Sequence, residues 1–126
     1  MLANATLAAF VATTNPARAL AFYRDTLGLP LLRDDGFALV FDANGTPLRV
    51  QKVEAVQPPP FTVLGWDVLD IEAAVRGLVA KGVAFERYTF VEQDDLGAWS
   101  APDGTRVAWF KDPDGNLLSV TQHAAA

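Results

Sequence analysis

A strand–turn–strand motif occurs twice in this sequence and constrains its fold more than any other feature. In the second half, apolar arms flank Asp112-Pro113-Asp114-Gly115-Asn116. Tight turns favour these residue types because Pro presets φ, Gly permits positive φ, and Asp and Asn bond to their own backbone. Residues 40–51 have the same outline, and an offset of 70 carries Gly115 onto Gly45. Two hairpins in one register indicate a duplicated supersecondary unit.

Each copy also contains a helix signal upstream of its hairpin. Asn15 and Asp70 are good N-caps, Pro16 suits the first helical position, and an offset of 55 carries Asn15 onto Asp70. In the second copy, apolar residues recur with helical spacing at positions 71, 74, 75, 78 and 79. The pattern predicts helices from 16 to about 27 and from 71 to about 81, ended by Gly28 and Gly82.

Short apolar segments between turn residues complete two β-α-β-β-β modules. The predicted strands span 6–12, 29–33, 37–41, 46–53, 61–69, 83–88, 106–111 and 117–122, and a longer connection, 89–105, carries a short apolar piece around Ala98 and Trp99. Three consecutive prolines favour an extended conformation and cannot continue a sheet ladder or a helix. We therefore expect one structural domain with a first module (1–56), a Pro-rich linker (57–60) and a second module (61–126).

The composition supports a folded domain and excludes several classes of function. Of the 126 residues, 51% are hydrophobic and 20% are charged, which is enough for a buried core. A net charge of −5 without a run of Lys or Arg argues against nucleic acid or an anionic membrane as a partner. The absence of Cys excludes disulfides and thiolate chemistry. The start is a poor signal peptide and no apolar run reaches about 20 residues, so we expect a cytoplasmic protein.

Three segments carry a resemblance to a known family. Residues 15–29, which include Phe22-Tyr23 and Leu27-Gly28, residues 68–75 and residues 109–119 resemble the vicinal oxygen chelate superfamily. That superfamily contains glyoxalase I, extradiol dioxygenases, fosfomycin-resistance enzymes and bleomycin-resistance proteins. The resemblance covers nearly the whole chain. It implies an α+β fold in which paired β-α-β-β-β modules form a curved sheet around a cavity, in a protein that is commonly a homodimer.

The same resemblance argues against a metal site. Metal-using members take His, Glu or Gln ligands from the first and last strand of each module, and the matching positions here are Ala8, Arg49, Val63 and Ser119. A divalent metal needs imidazole or carboxylate ligands, and an alkyl group, a hydroxyl or a guanidinium does not replace them. We therefore expect no metal, no cofactor and none of the family's metal-dependent chemistry.

Strand alternation predicts which side chains line the cavity, because alternate residues share a face. The residues expected on the face of the matched positions are Phe10, Ala12, Arg49, Gln51, Val63, Gly65, Asp67, Leu117, Ser119 and Thr121. The opposite face is expected to meet the helices and to hold Trp66 in the core. Gly65 either leaves room for a flat ligand or marks a bulge or a close approach of backbone.

Two charged residues and three aromatic residues are the sharpest candidates for a ligand site. Arg49 and Asp67 either orient a polar ligand, with Asp67 as a catalytic base, or are solvated or neutralise each other. Trp99, Trp109 and Tyr88 offer stacking surface, although large aromatics in a small domain are often core. Trp99 is favoured because it lies in the irregular connection, where sites concentrate.

Two further segments have plainer interpretations. Residues 92–95 form either an acidic lip that attracts a cationic ligand or a solvated loop. His123 is the only histidine and is expected to belong to a frayed tail.

Three functions fit these features. The favoured one is a metal-independent small-molecule-binding protein, similar to the bleomycin-resistance type. It would capture a planar or amphipathic, antibiotic-like ligand by stacking and by contacts from Arg49 and Gln51. The alternative is a lyase, isomerase or dioxygenase-like enzyme with Asp67 or an acidic loop residue as base. The third is a degenerate paralogue that only assembles with a partner. The acidic net charge weakly favours a basic ligand.

Overall fold

The computed structural model describes residues 1–125, which form two four-stranded sheets accompanied by helical segments. In chain order the elements are β1 (Ala9–Thr13), α1 (Pro16–Leu20) with a π-helical continuation (Ala21–Thr26), β2 (Leu31–Asp34), β3 (Ala38–Ala43), β4 (Thr46–Lys52), β5 (Leu64–Asp67), α2 (Ile71–Ala80), β6 (Trp99–Ser100), β7 (Arg106–Lys111) and β8 (Leu117–Gln122). Contacts divide the chain into a first unit, Met1–Gln57, and a second unit that begins at Pro58.

The two sheets have the same topology. Their strand orders are β1-β4-β3-β2 and β5-β8-β7-β6, so the first strand of each unit lies at an edge and the last strand lies inside the sheet. In each sheet the first and last strands pair in parallel, whereas the other pairs are antiparallel. The prediction of an α+β fold built from two β-α-β-β-β modules is therefore confirmed.

The helical segment of the first unit anchors the core of that unit through Tyr23. Asn15 caps its start by accepting a hydrogen bond from the Arg18 backbone N–H at 3.2 Å, as the cap pattern predicts. The second half of the segment is π-helical, and its last turn closes with the Leu27 N–H donating to the Phe22 carbonyl at 2.9 Å. Tyr23 is fully buried, with its ring 5.7 Å from that of Phe41 on β3.

Helix α2 of the second unit is tied to its sheet at the start. The Asp70 carboxylate accepts from the Ala73 N–H at 3.1 Å, and the Gln122 side chain of β8 accepts from the Ile71 N–H at 2.9 Å. Two of the otherwise unsatisfied N–H groups of the first turn thereby find partners. Ile71 and Val75 are buried on one side of the helix. The predicted helix is confirmed, and Gly82 follows it with φ of +95°.

The predicted strand 83–88 is wrong. In that segment only Phe85 forms a bridge, to Phe110 of β7, and the second strand of the module is the two-residue β6. The reason is that a side chain replaces a neighbouring strand: the Gln93 amide accepts from the Tyr88 N–H at 2.7 Å and donates to the Glu86 carbonyl at 2.9 Å. Backbone groups that a ladder would pair are satisfied locally.

Strand β5 differs from the prediction in length and in burial. It begins at Leu64, rather than at 61, because its partner β8 begins only at Leu117 and leaves Phe61 and Thr62 without a ladder. Trp66 is half-buried and does not belong to the core. Strand β5 lies at the edge of its sheet and has a neighbouring strand on one side only. Its side chains therefore remain partly exposed to solvent on the other side.

A search of residues 1–125 for membrane-spanning helices finds none that is both long and apolar enough.

Candidate functional site

A groove of about 770 Å³ lies within the second unit and has the size of a small-molecule site. Three segments form it: the stretch 58–62, the stretch around Tyr88 and Phe90, and the β7–β8 hairpin. The lining residues are Pro58, Pro59, Pro60, Phe61, Thr62, Tyr88, Phe90, Trp109, Lys111, Gly115 and Leu117. The groove therefore combines a sheet face with two irregular segments.

Strand register explains which hairpin side chains enter the groove. Trp109 and Lys111 lie two residues apart on β7 and share a face, and Lys111 pairs directly with Leu117 on β8. Trp109 pairs with Ser119, so it lies on the face that the sequence assigns to the cavity.

Aromatic rings form a continuous cluster along this face. The Tyr88 ring lies 5.6 Å from the Trp109 ring in an edge-to-face arrangement and 5.2 Å from the Phe90 ring. Trp99 lies 6.4 Å from Trp109, measured between ring centroids. Phe90 is 80% exposed and Phe61 is 63% exposed. Exposed rings beside a groove provide stacking surface for a flat ligand.

The loop that carries Tyr88 and Phe90 is held by Gln93. Besides its two bonds to residues 86 and 88, the Gln93 amide donates to the Gly97 carbonyl at 2.8 Å. The Arg87 guanidinium also donates to the carbonyls of Asp94 and Asp95, at 2.5 Å and 2.7 Å. A network that satisfies this many backbone groups gives an irregular segment a defined position.

The acidic segment 92–95 is part of this network. The Asp94 carboxylate accepts from the N–H groups of Leu96 and Ala98 and from Arg106, the last at 2.8 Å. Burial raises the pKa of Asp94, but these hydrogen bonds outweigh it and the net pKa is lowered. Asp94 therefore has a structural partner for its charge. A second cavity of about 510 Å³ lies beside this segment and includes Trp99.

The charge inside the groove comes from one side chain. Among the described residues that line it, Lys111 is the only charged one, and its ammonium lies 3.4 Å from the Glu86 carboxylate. Burial and the nearby Glu86 raise the pKa of Tyr88, and Lys111 opposes them. The Tyr88 phenol therefore keeps its proton at neutral pH and is a hydrogen-bond donor.

Gly65 and Ser119 form a close pair, so Gly65 does not open space for a ligand. They are directly opposite each other in the β5–β8 ladder, and a Cβ on Gly65 would lie 2.9 Å from the Ser119 Oγ. Ser119 is 6% exposed. Val63 precedes this pair, is half-buried and donates its N–H to the Leu117 carbonyl at 2.9 Å. Thr121, also half-buried, lies opposite Asp67.

Asp67 lies outside the groove and pairs with His123. The Asp67 Oδ1 is 2.9 Å from the His123 Nε2, and the two side chains are 77% and 64% exposed. The Ala124 N–H donates to the Thr105 Oγ1 at 3.1 Å. The expected frayed tail is therefore wrong at His123, because side chains of β5 and of the segment before β7 hold it.

The candidates of the first unit share a strand pair. Phe10 of β1 is exposed and lies opposite Arg49 of β4, and Gln51 is exposed two residues further on. Arg49 donates to the Asp35 carboxylate at 2.7 Å. This bond, followed by those from the N–H groups of Ala38 and Phe37, holds the pKa of Asp35 at about 2, below its ordinary 3.8. Arg49 and Asp67 thus each have a side-chain partner within their own unit.

The structure brings together only part of the predicted site. Tyr88, Trp109 and Leu117 line the groove and Trp99 contacts Trp109, whereas the other candidates are not among the lining residues. Sequence reasoning missed Phe61, Phe90 and Lys111, and took the prolines as a linker only. One signal for them exists in the sequence: aromatic residues directly after the prolines and within the longer connection. Within residues 1–125, no three His, Cys, Asp or Glu side chains lie close enough together to hold a metal ion.

Comparisons with known proteins match the whole fold. The model of the Glyoxalase/Bleomycin resistance protein/Dioxygenase superfamily matches residues 5–120. The uncharacterized protein YraH of Bacillus subtilis (strain 168) is 28% identical over 118 residues, which cover 82% of this chain and 86% of that protein.

Two solved structures illustrate the likeness in fold. A member of the same superfamily from Sphaerobacter thermophilus DSM 20745 superposes with a TM-score of 0.75 at 22% identity, over 98% of this chain and 100% of that one. The lactoylglutathione lyase from Agrobacterium tumefaciens gives a TM-score of 0.72 at 19% identity, over 94% and 93%. At these identities the structural likeness concerns the fold alone.

Proposed function

The chain belongs to the Glyoxalase/Bleomycin resistance protein/Dioxygenase superfamily, and from that premise we propose that it is a small-molecule-binding protein whose ligand lies in the groove of the second unit. The ligand is planar or amphipathic and stacks on the aromatic cluster. The single observation that carries this proposal is the contact of Tyr88, Phe90 and Trp109 around a groove of about 770 Å³.

The size and chemistry of the groove support this proposal. Sites for small molecules usually measure about 300–1,000 Å³ and combine apolar walls with a few polar groups. Here the polar side-chain groups are the Tyr88 hydroxyl, the Thr62 hydroxyl, the Lys111 ammonium and the Trp109 indole N–H, and the other lining residues have no polar side-chain atom. Each well-placed aromatic contact contributes about 0.5–1.5 kcal/mol beyond the area it buries.

We propose that binding needs no metal, because of the chemistry of the side chains that stand where metal-using relatives have ligands. Ala8 and Val63 have no donor atom. Arg49 is a cation and already donates to Asp35. Ser119 is buried against Gly65 and has only a neutral hydroxyl. These groups do not form a ligand set for a divalent ion.

An enzyme with Asp67 as base has less support. Asp67 is not among the residues that line the groove, and its carboxylate pairs with the exposed His123. A general base must lie within hydrogen-bond reach of the proton that it removes from the bound substrate. A ligand in the groove therefore meets Tyr88 and Lys111 before it meets Asp67.

Indole N–H signals provide a direct test, since the chain has three Trp residues. The probe is naphthalene methanol, a flat neutral molecule, and the reporter is the Trp99 indole signal beside Trp109. We expect a saturable shift. Replacement of Trp109 by Leu removes the stacking surface and should raise the Kd roughly tenfold.

The matched control is Trp66→Leu, which removes a half-buried Trp of the same unit that does not line the groove. The Kd of this variant should be unchanged, and far-UV circular dichroism checks that both variants are folded. An affinity that is insensitive to Trp109→Leu, or the absence of any saturable shift in the unaltered chain, would overturn the proposal.

A further inference from the structure

We propose that the groove selects planar ligands that carry an anionic group, such as a carboxylate, and that Lys111 is the specificity-determining residue. This inference rests on the proposed function, because it concerns the ligand of the same groove. The net charge of −5 on its own favours a basic ligand, which is the opposite of this inference. The reason is local: the charged side chain that enters the groove is a cation.

The distance between Trp109 and Lys111 suits such a ligand. Alternate residues of a strand lie about 6.5–7 Å apart along one face. A ring stacked on Trp109 therefore brings a substituent on its edge to the neighbourhood of the Lys111 ammonium. No carboxylate is found among the described side chains that line the groove, and the Glu86 carboxylate beside it is paired with Lys111.

Glu86 positions Lys111 without fully occupying it. The Lys111–Glu86 distance is 3.4 Å and the Lys111 side chain is half exposed, which is the geometry of a weak, solvated ion pair. An ammonium has three N–H donors, and this contact engages one of them. Glu86 itself is fixed by its N–H, which donates to the Trp109 carbonyl at 2.7 Å. The ammonium is thus kept at the groove with donors left for a ligand.

Tyr88 adds a second donor on the same side of the groove. Its phenol is protonated at neutral pH, as expected for an ordinary pKa near 10, and burial and Glu86 raise that pKa further. A hydroxyl can donate a hydrogen bond to a carboxylate, whereas toward a cation it can present only an oxygen lone pair. Lys111 and Tyr88, which both line the groove, therefore favour an anion over a cation.

Three probes with one ring system test the inference: naphthalene carboxylate, naphthalene methanol and naphthalene methylammonium, substituted at the same ring carbon. The unaltered chain should bind the carboxylate roughly tenfold more tightly than the neutral alcohol, and the ammonium least tightly. Lys111→Met should reduce the ratio of the carboxylate affinity to the alcohol affinity to about one. Lys111→Arg should keep the preference, and Lys111→Glu should shift it toward the ammonium.

The control variant is Lys81→Met, which removes the same charge at an exposed position after α2. It should leave the order of the three affinities unchanged. Equal binding of the three probes to the unaltered chain, or a carboxylate preference that survives Lys111→Met, would overturn the inference while the proposed function stands. If no probe shifts the Trp99 signal, the proposed function fails and the inference fails with it.

Discussion

At the scale of single residues, most charged side chains of this protein serve the scaffold rather than the groove. Arg49, Asp94 and Asp67 each have a side-chain partner at 2.7–2.9 Å within their own unit. Lys111 differs because its partner lies at 3.4 Å and because it also lines the groove. Because the Lys111 ammonium lines the groove and is only weakly paired with Glu86, a bound ligand can form an ion pair with it.

The Asp35–Arg49 pair predicts a dependence of stability on pH. Because the pKa of Asp35 is about 2 in the folded chain and near 3.8 ordinarily, the pair stabilises the fold above about pH 4, and this contribution is lost as the pH falls toward 2. Asp35→Asn keeps an oxygen for the Ala38 N–H but removes the charge. We therefore expect Asp35→Asn to lower the urea midpoint at pH 7 and to have little effect at pH 2.

Glu54→Gln is the matched control, since it removes one exposed carboxylate from the same unit. Its difference from the unaltered chain should be small at both pH values. A deficit for Asp35→Asn that is as large at pH 2 as at pH 7 would contradict the prediction, because a protonated Asp35 has no charge for Arg49 to bind.

At the scale of elements, the segment 86–98 decides the shape of the groove although it contains almost no regular structure. Its backbone is held by a side chain, Gln93, which makes three hydrogen bonds at 2.7–2.9 Å. Strand prediction failed at 83–88 for this reason. The apolar pattern reports only the local preference of those residues, whereas their backbone hydrogen-bond partner is a glutamine side chain five or more residues away. The helices were predictable because caps and apolar spacing are local.

Replacement of Gln93 by Leu should loosen this segment. The change leaves the Tyr88 N–H and the carbonyls of Glu86 and Gly97 without their partner, and we expect a loss of about 2 kcal/mol in the free energy of unfolding. Hydrogen exchange at the Tyr88 amide should accelerate, and naphthalene methanol should bind less tightly because Tyr88 and Phe90 are no longer held. The thermal midpoint and the amide exchange rate are the measurements.

Gln57→Leu is the control for the change in polarity, since Gln57 is an exposed glutamine before the prolines. It should change the free energy of unfolding by less than about 0.5 kcal/mol. Unchanged exchange at Tyr88 in Gln93→Leu would show that the strand-like segment 85–88 holds itself through the Phe85–Phe110 bridge alone.

At the scale of the whole molecule, duplication made the fold predictable and left the site largely unpredicted. Both copies repeat the cap, the helix and the hairpin, and those signals lie within a few residues of each other. Besides the hairpin, which both copies have, the groove uses what the copies do not share: the prolines before β5 and the irregular stretch around Tyr88 and Phe90. Trp109 and Tyr88 were named for their aromatic side chains alone, whereas Phe61 and Phe90 were missed because only the fold brings residues 58–62 and the longer connection beside the β7–β8 hairpin.

The net charge of the molecule and the charge of the groove have opposite signs, and salt separates their effects. Raising the ionic strength from about 0.01 M to about 0.15 M shortens the Debye length from about 30 Å to about 8 Å. In Lys111→Met only the repulsion by the acidic molecule acts on naphthalene carboxylate, so added salt should tighten binding. In the unaltered chain, salt also screens the attraction between Lys111 and the ligand carboxylate, which opposes the tightening. The affinity should therefore rise clearly less steeply with salt than it does in Lys111→Met. Naphthalene methanol should show no slope in either protein, and equal slopes for the carboxylate in both would mean that Lys111 does not touch the ligand.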